Sequence, residues 1–323
     1  MIALCLSLFA TLCPAETLRV ATYNTELSRK GPGLLLRDLS LNKEPRLLAL
    51  LATITEAKAD VVVLQNIDYD LQNLALAALA DRLDYPFHFA APPNAGLMTP
   101  LDLDGNGQLG EAADAQGFGR FFGQGSMAIL SRHPILADEV KDFSTLLWRD
   151  LPMALLPEAN GKPFPSVEAQ AIQRLSSHGH WAVPIQHPIL GRITILTYHA
   201  TPPVFDGPED RNGRRNHDET AFWTHYLDGA FGPVPSDRFI LMGDANLDPN
   251  AGDGMGRAMT RLLTDARLQD PLPMQPTVAF GPTGPMRVDY VLPSADWRVT
   301  AAQVTPANPD ASRHSLVWVD LTR

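Results

Sequence analysis

The sequence predicts an α/β fold in which sheets pack on each other with helices outside, and three observations carry that expectation. Short β-branched or apolar runs recur along the chain, several without alternation, as strands buried on both faces require. Between them lie segments whose apolar residues recur at three and four, the period of an amphipathic helix. No repeat, low-complexity tract or linker breaks the pattern, and 323 residues, 45% hydrophobic and 19% charged, are enough for one domain with a sizeable core.

In chain order, the first apolar run is Ile2 to Leu12, followed by Cys13, Pro14 and Ala15. It is too short to span a bilayer of about 30 Å, and small residues follow it where a signal peptidase reads. Residues 1–15 are therefore expected to be a signal peptide that directs the chain to the periplasm or medium, with no transmembrane segment in the mature chain. Both cysteines, Cys5 and Cys13, fall inside it, so disulfides, thiolate catalysis and cysteine metal sites are excluded from the exported chain. Strands follow at Leu18 to Tyr23, Val61 to Leu64, Met127 to Leu130, Ile193 to Tyr198, Phe239 to Met242, Val288 to Leu292 and Leu316 to Leu321. Helices are expected at Glu44 to Ala59, Leu74 to Leu83, Asp218 to Leu227 and Met255 to Leu268, and Ala91 to Gly125 reads as a long irregular insertion.

The 26 basic residues against 36 acidic ones give a formal charge of −10, which argues against a bulk nucleic-acid coat. It does not exclude an enzyme acting on phosphates, because local arginines, metals and helix amino termini can hold an anion inside an acidic molecule. Polar residues stand just past the strands: Asn24 and Glu26, Gln65 and Asn66, His199, then Asp244 and Asn246. Asp289 lies within the next strand and His314 precedes the last. Singly, each is more often a turn former or a satisfied core group. Gathered at one rim, they form a site of carboxylates, amides and imidazoles without a serine nucleophile motif or a glycine-rich nucleotide loop.

The segments LRVATYNTE (18–26), ADVVVLQN (59–66), GSMAILSRHPI (125–135), RITILTYHATPP (192–203), RFILMGDANLDPN (238–250), MRVDYVLPS (286–294) and SRHSLVWVDL (312–321) resemble those of the endonuclease/exonuclease/phosphatase superfamily, in family order. That superfamily includes deoxyribonuclease I, abasic-site endonucleases, sphingomyelinases and inositol-phosphate phosphatases. The resemblance implies a four-layer sandwich, two packed, mostly antiparallel sheets flanked by helices, formed by a single domain over 16–323. It implies that Asp244 orients or deprotonates the attacking water and that Asn246, Asn24 and His199 hold the phosphate. His314 then exchanges protons or holds phosphate charge, oriented by Asp289.

Two departures touch the metal that this family uses, ordinarily Mg²⁺ or Mn²⁺. Gln65 is followed by Asn66 where the family has a metal-binding Glu, and Arg313 stands between Ser312 and His314 where it has Asp. Three outcomes follow: a divalent ion retained by Glu26, Asp68 and Asp289; Arg313 gripping phosphate in its place, with Asn66 nearby; or loss of catalysis. Asp68 shares the face of Asn66 if the strand continues extended.

Asp102, Asp104, Asn106, Gly107 and Gln108 match the opening of a calcium loop, with Ala113 at the twelfth place and Asp114 just after. A calcium ion there would order the insertion. Arg211, Arg214 and Arg215 precede a helix read as capped by Asn216 with Glu219 three residues on. Arg211, Arg214 and Arg215, with Arg120 or Arg149, are candidates for lining the approach of an anionic substrate, whereas Trp148, Trp181, Trp223 and Trp318 read as packing residues. The expected activity is hydrolysis of a phosphodiester or phosphomonoester by direct attack of water. Long duplex DNA is disfavoured, and no feature selects an oligomeric state. The competing expectation is an inactive member that binds a phosphate-bearing ligand, with calcium as a structural ion.

Overall fold

Strand β1 (Leu18–Asn24) shows how an apolar run without alternation becomes a layer. Leu18 and Val20 face one core, while Ala21 and Tyr23 face another on the opposite side of the same sheet. The computed structural model describes residues 16–236 and 238–323, so the segment read as a signal peptide lies outside the described residues.

One sheet has six strands in the order β14 (Arg298–Val304), β15 (Val317–Thr322), β1, β2 (Val61–Ile67), β4 (Ser126–Ser131) and β3 (Phe87–Phe89). The second runs β13 (Asp289–Pro293), β10 (Arg238–Asp244), β9 (Gly191–His199), β8 (His180–His187) and β5 (Lys141–Asp142). Within these two sheets β1–β2 and β9–β10 pair in parallel, and the other strand pairings among the described residues are antiparallel. Two-residue hairpins, β6 (Glu158–Ala159) with β7 (Lys162–Pro163) and β11 (Val278–Ala279) with β12 (Pro285–Met286), decorate the loops.

The sheets meet through Val20, Val63, Ile129, Ile195, Ile240 and Val319. Helices α1 (Leu34–Leu41), α2 (Pro45–Ala57) and α3 (Leu74–Arg82) seal the far face of the first sheet with Leu39, Leu50 and Leu79. On the second, α5 (Arg211–Leu227) and α6 (Arg257–Leu263) do the same with Phe222, Trp223 and Leu262, and a short α4 (Val167–Ile172) precedes β8. This is the four-layer sandwich expected; each such fully buried side chain contributes roughly 1.5–3 kcal/mol. Trp148, Trp181 and Trp223 are core residues, and Trp318 lies under the Arg19 guanidinium, 3.8 Å from its ring centre.

Periodicity missed α1, α4, β3, β5, β8 and β14. Strand β8 carries Pro184, which demotes a strand reading, yet it is tolerated because the neighbouring β5 is only two residues long. The helix expected from Asp218 begins at Arg211 instead, after Asp210. Asn216 is thus no cap: it is buried inside the helix and donates to the carbonyls of Thr201 and Ala245, both at 2.8 Å. Buried Arg215 donates to the carbonyls of Gln116, Arg174, Leu175 and Ser176 and clamps the insertion to the second sheet. The insertion has no helix or strand beyond one 3₁₀ turn at Ala112–Asp114, as its composition suggested.

Candidate active site

Parallel pairing brings two strand ends to the same rim in each sheet. Asn24 lies in register with Gln65, and His199 with Asp244. Antiparallel β13 begins at that level, so Asp289 sits directly opposite Asp244. Gly243 makes the adjacent bend: its φ is 153°, and a Cβ there would lie 2.2 Å from the Tyr198 carbonyl oxygen. A side chain at this point would push the Asp244 strand end away from its neighbour.

At the rim Asn24 Nδ2, at the end of β1, donates across to Asp244 Oδ2, at the end of β10, at 2.7 Å. The Asn246 amide donates to Asp244 Oδ1 at 2.8 Å, and His199 Nε2 lies 3.5 Å from Oδ2. Burial and the Asp289 charge push the Asp244 carboxyl up to about 7. His314 Nδ1 is bonded to Asp289 Oδ2 at 2.9 Å. Burial alone would lower that imidazole, but the Asp289 charge and hydrogen bond raise it to about 9, so it is a cation at neutral pH. Burial drives His199 well below the ordinary histidine value, making it a neutral imidazole, and it stacks on His178 with ring centres 3.9 Å apart. The result is a base poised near neutrality beside a fixed cation, which is an acid–base pair separated by environment.

Of these groups Asn24, His199, Asn246 and His314 line a cleft of about 540 Å³, while Asp244 and Asp289 are fully buried against them. Asn24, Asn66, His199, Asn246, Arg313 and His314 give it polar lining, and Phe118, Phe205, Phe280, Pro202 and Met286 apolar lining. Phe205 is 91% exposed. Phe118, Gln124 and Gly125 reach the cleft from the insertion, which gives that segment a place in the site.

The metal set expected from sequence does not assemble. Glu26 is taken by two arginines: Arg46 Nη2 donates to Oε2 at 2.8 Å, Arg313 Nε to Oε1 at 2.7 Å and the Arg313 amide to Oε2 at 3.0 Å. Burial pushes its carboxyl up, but the Arg313 contacts hold it below the usual range. Asp68 accepts the amides of Arg29 at 2.9 Å and Gly125 at 3.0 Å, so it pins loops rather than facing the cleft. The physical reason is at Asn66, where a left-handed φ of 57° and a bulge in the β2–β4 register end the alternation. Asn66 Nδ2 donates to Asn24 Oδ1 at 3.2 Å.

The residues at Glu26, Asn66 and Arg313 therefore do not fit a hard divalent cation, which would have to displace guanidinium from the carboxylate and accept a neutral amide. Behind the cleft lining, ligand atoms of buried Asp244, Asp289 and His314 lie within 4.8 Å of one another, and an ion there would be held by the two carboxylates, because a cationic imidazole has no lone pair to offer. Buried Asp289 Oδ1 has no hydrogen-bond partner among the described residues, which suits such an ion.

Arg211 does not line the cleft. It is buried at the start of α5, where burial lowers its guanidinium against the opposing pull of Asp104, Asp206, Glu209 and Asp102. Nor do Arg214, Arg215, Arg120 and Arg149 line the cleft. In the insertion, Asp102, Asp104 and Asp114 converge within the same 4.8 Å, so it is Asp114 and not position 113 that closes the loop. Asp102 Oδ1 accepts the amide of Gly105 at 2.6 Å and Oδ2 that of Gly107 at 2.7 Å. Asn106 Oδ1 accepts the Gln108 amide at 2.7 Å. Sequence reasoning missed Arg46, His178 and the aromatic lining, which come from a helix start and from loops that carry no periodic signal.

The endonuclease/exonuclease/phosphatase family model matches residues 21–314. No curated protein matches the chain. Similar solved structures include an endonuclease/exonuclease/phosphatase from Beutenbergia cavernae, 20% identical, covering 95% of this chain and 71% of that one at a TM-score of 0.61. Sphingomyelinase C from Streptomyces griseocarneus is 19% identical, with 95% and 100% covered and a TM-score of 0.53. The human Nocturnin catalytic domain with bound sulfate is 15% identical, with 95% and 94% covered and a TM-score of 0.51. At these identities the likeness is one of fold.

Proposed function

Because the chain belongs to the endonuclease/exonuclease/phosphatase family, whose members are hydrolases of phosphate ester bonds, we propose that its cleft hydrolyses a small phosphodiester or phosphomonoester carrying an apolar organic group. The observation that carries this reading is the set of buried acid–base groups, Asp244 beside Asp289–His314, with His314 lining a cleft that Phe118, Phe205 and Phe280 also line.

Asp244 near half-ionisation at neutral pH takes a proton from the attacking water, while cationic His314 stabilises charge on the phosphoryl oxygens or protonates the leaving alcohol. Asn24 holds Asp244, and Asn246 and neutral His199 present polar groups to the phosphate. A divalent ion, when bound, would be held by Asp244 and Asp289 and would add charge neutralisation. No cysteine occurs among the described residues, and attack by water needs no covalent intermediate.

The apolar lining and the net charge of −10 favour a compact ester over long duplex DNA. The test is a panel of aryl and alkyl phosphomonoesters and phosphodiesters with single- and double-stranded nucleic acid. Turnover confined to the small esters supports the reading, preference for duplex DNA corrects its substrate, and no turnover replaces it with ligand binding. Residues 1–15 support export of the chain, which amino-terminal sequencing of the mature protein tests. Among the described residues no helix is long and apolar enough to cross a membrane.

A further inference from the structure

We propose that Arg313 holds the substrate phosphate at the Glu26 end of the cleft, filling by a guanidinium the place where a divalent cation would otherwise neutralise the anion. The proposal rests on the cleft being the phosphoester site and adds how that site meets its charge.

The geometry supports a built anion clamp. Arg313 lines the cleft next to His314, and its side chain is 63% exposed. Glu26 takes its Nε and Nη2 on one side, and the Phe280 ring lies 5.3 Å from its guanidinium carbon. Carboxylate and ring restrict the plane of the guanidinium, while Nη1 has no hydrogen bond among the described residues, leaving donors to meet phosphate oxygens.

Both oxygens of Glu26 are engaged. Arg46 holds its other oxygen and is itself fixed, its Nε donating to the Ala311 carbonyl at 2.9 Å. Ser312 Oγ donates to the Asn24 carbonyl at 2.7 Å, tying the Arg313 loop to the end of β1. Arg46 and Glu26 are thus positioning residues, and Arg313 is the group that touches phosphate. A dication beside Glu26 would face the two guanidinium charges of Arg46 and Arg313.

The test is calorimetric titration of inorganic phosphate into the full chain in chelator, for wild type, Arg313→Ala and Arg313→Lys, with turnover of bis(p-nitrophenyl) phosphate followed in the same samples. The expected result is phosphate binding without metal, weakened about 10- to 100-fold in Arg313→Ala and partly restored in Arg313→Lys, as loss of a charge-assisted bond implies. Phosphate binding that appears only with added Mg²⁺ or Mn²⁺, or an Arg313→Ala affinity equal to wild type, overturns the proposal. If phosphate binds through Arg313 but no ester is ever hydrolysed, the hydrolytic reading falls and this one stands. If esters are hydrolysed but phosphate binding needs the metal, the reverse holds.

Discussion

Replacing Asp244 by Asn is expected to abolish turnover and make the folded chain more stable at alkaline pH. The Asp244 carboxyl is raised from 3.8 to about 7, chiefly by burial and then by Asp289. It therefore binds its proton more tightly folded than unfolded, so its contribution is complete below pH 3.8 and is lost as pH rises through about 7. About three units correspond to about 4 kcal/mol of cost at pH 8. An amide removes that cost but introduces another. Asp244 accepts from Asn24 Nδ2 and the Asn246 amide, and an Asn has one acceptor oxygen, so one buried donor loses its partner at about 1–3 kcal/mol. Asn24 cannot simply turn its amide over, because its Oδ1 already accepts from the Glu26 amide and Asn66. The net expectation is a gain of about 1–3 kcal/mol at pH 8 that disappears at pH 4. Urea unfolding of both proteins at the two pH values, with turnover beside it, measures this. A variant that is less stable than wild type at pH 8, or that still turns over, would refute the reasoning.

Other expectations follow from the same geometry. Activity should rise with deprotonation of Asp244 at about 7 and fall as His314 loses its proton at about 9, and Asp289→Asn should move both limbs of the kcat/KM profile to lower pH because Asp289 raises both groups; an unmoved profile would exclude the assignment. The His314 imidazole, raised from 6.5, stabilises the fold fully below pH 6.5 and loses that contribution as pH passes about 9, so urea midpoints of Asp289→Asn should lack the loss of stability that wild type shows between those values. Calcium should raise the melting temperature of wild type, by an amount equivalent to about 2.7 kcal/mol at a hundred times its dissociation constant, and leave Asp102→Asn/Asp104→Asn unchanged; equal melting with calcium and chelator would leave an Asx-rich turn. Phe205→Ser should change stability by less than about 0.5 kcal/mol yet raise KM about 5- to 20-fold for aryl esters and not for methyl esters, and an equal change for both would remove Phe205 from substrate recognition.

The strand-end residues of the site were legible one by one in the sequence, because a strand's register is written in its apolar pattern. Asn24, His199 and Asp244 end strands whose buried faces allow no slip, and the Gly-Asp-x-Asn element marks a bend only glycine makes there. The layers were legible for the same reason: runs such as 61–64 are apolar on both faces because both faces are covered. Tertiary structure alone decided what the loops contribute. Asn66 turns left-handed and carries Asp68 away from the cleft; Glu26 is claimed by arginines from 20 and 287 residues away; and Arg211 is buried, under the charges of acids from the insertion and from the loop before α5, instead of lining the cleft. Period and propensity encode which face of an element is apolar, whereas the partner of a charged side chain beyond a strand end is set by long-range packing of segments whose own sequences carry no record of one another.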